Sequence, residues 1–212
     1  MDRELKWFAG LLGGVRDCQV QQRRFSAALD DMPDELILGP VRTRIRSDLQ
    51  SVELPARTRV SEAMDSERYV AMMAVLRRWR AEPPVDQNIA IPTLRKRARR
   101  AQRKADRRLA GALHSGQDAE LHRARKAAKR ARYAAELCKP LVKRAKRTVK
   151  HYKQIQRLLG DHQDTVVAAG ALRQMALTAG TTVGENGFSY GMLYARERQI
   201  AHQCRRDAAH LL

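Results

Sequence analysis

His122, Lys126, Lys129 and Tyr133 recur at i, i+4, i+7 and i+11, a spacing that gathers them on one face of an α-helix. Leu121, Ala124, Ala128, Ala131 and Ala135 fall on the opposite face as a narrow apolar seam. Arg125, Arg130 and Arg132 add three guanidinium groups to the same stretch. A histidine among fixed cations is suited to donating to an anion, and its protonation becomes easier once the anion is bound. Taken alone, the same histidine serves equally well as a cap or a bridge to a neighbouring helix.

The pattern repeats after Pro140. Leu141, Ala145, Val149, Tyr152, Ile155 and Leu159 are expected to point inward, with Lys143, Lys146, Lys150, Lys153 and Arg157 pointing away. A third row precedes both. Thr93 is expected to cap a helix with the seam Leu94, Ala98, Ala101, Ala105, Leu109 and Ala112, its flanks carrying Arg95, Arg99, Arg103 and Lys104 among other cations.

The 212 residues hold 42 Lys and Arg against 23 Asp and Glu, a formal charge of +19. Between Arg95 and Lys153 stand twenty-two basic and four acidic residues, so +18 of that +19 lies in one segment. One such row reads as a solvated helix face. Three in succession, with so few acids between them, carry a self-repulsion that a polyanion would offset. Arginine supplies forked donors for phosphate oxygens and lysine a point charge.

Other chemistries find little support. No Ser-His-Asp set, phosphate-binding glycine loop or paired-carboxylate site is recognisable, so no enzymatic activity is expected of this chain. Asp161, His162 and Asp164 lack a fixed ligand spacing, and neither a metal nor a cofactor is expected. Cys18, Cys138 and Cys204 are far apart and form no CxxC, which suits buried thiols of a reducing compartment. With no apolar run of membrane-spanning length and no signal peptide, the expected location is cytoplasmic.

Stepping along the chain, helical periodicity dominates and no strand pattern convinces. A first helix is expected over 2–29, kinked or interrupted at Gly13-Gly14. Asp34 is expected to cap a helix over 35–64 that Pro55 bends or splits, and Asp65-Ser66 to cap a short helix ending at Glu82-Pro83-Pro84. Asp118 is expected to cap the helix of His122, and a last helix runs from 188 to about 211. The expected fold is all-α: antiparallel helical bundles in two related halves, 1–92 and 93–212. The halves are related by a repeat. Leu11-Leu12-Gly13-Gly14-Val15-Arg16-Asp17 matches Leu158-Leu159-Gly160-Asp161-His162-Gln163-Asp164 as LLGxxxD.

These motifs resemble the conserved histidine α-helical domain, CHAD. The likeness rests on the His-and-basic run Leu121 to Tyr133 and on the two LLGxxxD stretches. It spans essentially the whole chain, making both halves one CHAD domain. The resemblance implies binding of inorganic polyphosphate, often at polyphosphate granules, and some members accompany a CYTH triphosphatase. A CYTH-type triphosphatase or another phosphate enzyme is therefore a candidate partner, although no Glu-x-Glu-x-Lys motif of that partner occurs here. The first-half counterpart of His122 would fall before residue 1, so the first half is expected to lack its His-basic helix. The apolar face of Leu5, Phe8, Leu12 and Val15, with Trp7 beside it, would then be partly uncovered, and a homodimer through it is expected.

Charge alone does not distinguish polyanions, so RNA or DNA binding is the alternative reading. Only Tyr133 and Tyr152 offer aromatic faces within the basic segment, a poor platform for stacking bases. A scaffold that recruits a phosphate-metabolising enzyme is the third.

Overall fold

The computed structural model describes residues 1–85 and 90–212. Among them the chain forms seven α-helices and one 3-10 turn, with no strand. The helices are α1 (Asp2–Asp30), α2 (Val41–Met64), α3 (Glu67–Ala81), α4 (Ile91–Ser115), α5 (Asp118–Leu137), α6 (Ala145–Ala179) and α7 (Phe188–Ala209).

Two expected interruptions are absent. Helix α1 runs unbroken through Gly13-Gly14 and α2 through Pro55. Pro55 lies on the exposed side, where the carbonyl it leaves unpaired can take water. Helix α6 likewise runs on through Gly160. An interior glycine costs a helix about 1 kcal/mol, but Ile155, Leu158, Leu159 and His162 are all buried on either side of it. Side-chain packing outweighs propensity at that point.

The caps are also corrected. Ala90, without a side-chain bond, precedes α4, and Pro92 in the first turn supplies the fixed φ that a helix start favours, so Thr93 caps nothing. Gln117 occupies the cap of α5, which makes Asp118 its first helical residue. Asp34 belongs to the 3-10 turn, and α2 starts later, after Pro40. Ser66 does cap α3, accepting from the Tyr69 N–H at 3.3 Å. Past Pro140 the chain turns until α6 begins at Ala145, leaving Leu141 half-buried outside the helix.

Two compact units emerge, and the linear division at 92/93 is redrawn. Residues 172–193 join 1–85, while 194–212 join 90–171. The reason is the length of α6 and α7, each of which contributes to both units.

In the first unit Phe25, Leu29, Val41, Ile45, Leu49 and Met72 are buried together with Leu172, Tyr190 and Leu193. The Ser189 hydroxyl accepts from the Leu38 N–H and donates to the Leu36 carbonyl. The apolar face of α1 is partly covered from α3. Phe8 meets Tyr69 with ring centroids 4.9 Å apart, and Arg68 sits 4.0 Å over Trp7. Leu5 and Leu12 stay exposed.

The second unit is built on small residues. Ala105, Leu109 and Ala112 of α4 share one core with Leu121, Ala124, Ala127, Ala128 and Ala131 of α5. Tyr152, Ile155, Leu158 and Leu159 of α6 and Ala208 of α7 complete it. Alanine seams let helices approach closely, so the basic residues flanking them are brought near one another. Cys18, Cys138 and Cys204 are buried and form no disulfide.

Candidate functional site

On α5, Lys126, Lys129, Arg130 and Tyr133 are exposed, opposite the buried alanines. His122, expected on the same open face, is half-buried at its edge. It hydrogen-bonds the Gln163 side chain of α6, and its Nδ1 is enclosed without a protein partner. Burial, then the nearby Lys126 and Arg125, hold its pKa below the ordinary value, with Gln163 pulling the other way. The free ring therefore favours its neutral form.

Arg125 is half-buried too. Its guanidinium lies over Gly160, and a Cβ at that position would stand 3.3 Å from Nε. That Nε has no hydrogen-bond partner in the protein. Two contacts, His122 to Gln163 and Arg125 to Gly160, fix an antiparallel register between α5 and α6. Continued at 1.5 Å per residue on both helices, it sets Lys129 beside Gln156 and Arg132 beside Lys153. Gln156 Oε1 and Arg132 Nε are also enclosed without hydrogen-bond partners. Arg132 stands 4.7 Å over the Tyr133 ring and 3.7 Å from Glu136 Oε1, so part of its charge is compensated. Lys129 Nζ lies 5.7 Å from the centroid of the same ring.

The seam between α5 and α6 thus has a floor of polar atoms lacking partners and walls of cations. Lys146, Lys150, Lys153 and Arg157 are exposed on the α6 side. Leaving buried donors unsatisfied costs about 1–3 kcal/mol each, which a bound anion would recover. Tyr152 does not join this row. Its hydroxyl donates to Asp106 Oδ1 of α4 at 2.7 Å, and burial first, then this bond to Asp106, raise its pKa.

The α4 cations gather elsewhere in the unit. Arg95, Arg99 and Arg103 share a basic shelf, and Arg95 and Arg99 also meet Lys143 around a cleft. Arg95 Nη2 donates to the Leu141 carbonyl at 2.7 Å, tying the turn after α5 to the start of α4. Lys104 is exposed on α4.

The family model of the CHAD domain matches residues 1–173. The chain belongs to the CHAD domain family. It is similar to two uncharacterised proteins of Mycobacterium tuberculosis, from strains CDC 1551 / Oshkosh and ATCC 25618 / H37Rv. Each is 35% identical over 212 residues, which is 95% of this chain and 39% of the relative. The chain therefore spans well under half the length of these curated relatives. No solved structure matches it.

His162, the other histidine of the CHAD motif region, is a core residue. It is 2% exposed, and its Nε2 lies 3.5 Å from Asp118 Oδ1. Among the described residues no group of three or more His, Cys, Asp or Glu could hold a metal ion. No helix among them is long and apolar enough to cross a membrane. Charge counting overlooked Gly160, Gln163 and Gln156, because none of them is basic. The signal for Gly160 and Gln163 was the LLGxxxD motif facing the His-basic helix, legible only once the register was known, and Gln156 lies outside that motif.

Proposed function

We propose that this CHAD domain binds inorganic polyphosphate along the α5–α6 seam, without catalysing its turnover. The observation that carries the reading is the pair His122 and Arg125, half-buried with Nδ1 and Nε unpartnered, at the end of two rows of exposed lysines. A flexible polymer of phosphates can place one oxygen against the enclosed donors while neighbouring units meet Lys126, Lys129, Lys150 and Lys153. Both tyrosines of the basic segment are already engaged, Tyr133 under Arg132 and Tyr152 inside the core, so no free ring is left for stacking bases. Those features favour polyphosphate over RNA or DNA.

Competition measures this directly. Long-chain polyphosphate is expected to displace duplex DNA of matched total charge, with affinity that rises with chain length and falls steeply with salt. Equal or stronger binding of DNA would replace this reading with nucleic-acid binding. Association with polyphosphate granules, and presentation of the polymer to a CYTH-type triphosphatase, follow from the same reading. Leu5 and Leu12 are what α3 leaves for a second copy of the chain, and light scattering at micromolar concentration tests that homodimer.

A further inference from the structure

The cleft beside the α5–α6 seam's far end differs in chemistry from the seam itself. It encloses about 460 Å³ within the second unit, between the start of α4, the end of α5 and the turn leading into α6. Its floor is apolar, with Ala98, Ala135, Cys138 and Val142, and Arg95, Arg99, Lys143 and Arg144 are also in its wall. Gln102 and Thr148 are the uncharged polar groups inside it. An adjoining shelf of about 450 Å³ shares Arg95 and Arg99 and continues to Arg103.

An inorganic anion gains nothing from an apolar floor, since only apolar surface is released from water there. Small-molecule sites of roughly 300–1,000 Å³ combine an apolar lining with a few placed polar groups, as this cleft does. Gln102 offers a donor and an acceptor on one amide, which suits the edge of a heterocycle. Arg95, held by the Leu141 carbonyl, is preorganised at the junction of cleft and shelf. Steps of four residues place Arg95, Arg99 and Arg103 about 6 Å apart along the α4 axis.

We propose that the cleft and shelf together bind a nucleoside polyphosphate, with the nucleoside against Ala98, Val142 and Gln102 and the phosphates along Arg95, Arg99 and Arg103. This site does not depend on the polyphosphate reading of the α5–α6 seam. A saturated lipid chain fits less well, because the cleft is short and two polar side chains enter it.

Calorimetry with magnesium omitted, on the Lys126→Glu/Lys129→Glu protein so that the seam takes up little ligand, compares ATP with inorganic tripolyphosphate, which lacks the nucleoside. ATP is expected to bind at least tenfold more tightly. Val142→Trp, at a half-buried position outside any helix, is expected to erase that preference while leaving tripolyphosphate binding in place. Arg99→Gln, at an exposed position, is expected to weaken ATP about tenfold and guards against a misfolded tryptophan variant. Equal affinity for ATP and tripolyphosphate overturns the proposal. So does unchanged ATP binding in Arg99→Gln, or an ATP preference that survives in folded Val142→Trp.

Discussion

Arg125 of α5 rests its guanidinium on Gly160 of α6, with Nε 3.3 Å from the point where a Cβ would sit. The matching glycine of the other LLGxxxD motif, Gly13, has nothing within 4 Å of its own Cβ position. One glycine admits the Arg125 side chain, and the other only weakens a helix. Gly13→Ala should therefore stabilise the protein by about 0.5–1 kcal/mol with polyphosphate affinity unchanged. Gly160→Ala gains the same helix propensity but pushes Arg125 aside, so affinity should fall several-fold without loss of melting temperature. Identical affinity in both variants would show that the glycine does not set the position of Arg125.

His122 predicts a pH dependence. Burial first, then Lys126 and Arg125, lower its pKa in the free protein, and a bound phosphate should raise it. Binding then takes up a proton at any pH between the two values. Affinity should increase as pH falls from 8 toward the lowered free value, and level off below it. A long polymer keeps titrating terminal phosphates a small share of the ligand. Calorimetry in buffers of different ionisation enthalpy reads the proton uptake, and His122→Gln should abolish it. The same uptake in that variant would place the titrating group elsewhere.

Much of this was legible in the sequence because alanines at helical spacing mark a close-packed seam as clearly as leucines do. Leu121, Ala124, Ala128, Ala131 and Ala135 are all buried, and the lysines opposite them are exposed. Gly13-Gly14 misled the reading, since the pair carries a propensity cost, yet the helix runs on without interruption to the buried Cys18, Phe25 and Leu29. The half-burial of His122 was hidden for a different reason. A helical wheel places residues around one axis but does not say how far a neighbouring helix reaches over the edge. Only the pairing of Gln163 with His122 shows that α6 covers it.

The seam separates charge from stability. Lys126 and Lys129 are exposed, so replacing both with Glu should cut polyphosphate affinity by tenfold or more while the melting temperature stays within a few degrees. Ala128 is 1% exposed inside the α4–α5–α6 core. Ala128→Leu forces extra methyl groups between helices and should cost roughly 1–3 kcal/mol. Thermal melts and binding on the same samples test both. A lysine variant that melts as early as Ala128→Leu would mean the cations are structural.

His162 predicts how the second unit responds to acid. Its pKa is lowered mainly by burial, with Arg205, Arg198 and His202 of α7 adding to the effect and Asp118 of α5 opposing it. The folded protein therefore holds this ring neutral at a pH where the unfolded chain, near its ordinary value of 6.5, is already taking up a proton. Stability from this residue is complete above that unfolded value and is lost as pH falls through the lowered folded value. Wild type should lose stability between pH 7 and 5 more steeply than His162→Gln, which has no ring to protonate. His122 acts in the same direction but is present in both proteins, so it cancels in the comparison. Asp118→Asn removes the opposing carboxylate, lowers the His162 pKa further and should deepen the acid loss. Chemical denaturation at several pH values provides the measurement, and parallel curves for wild type and His162→Gln would show that the buried ring does not titrate in this range.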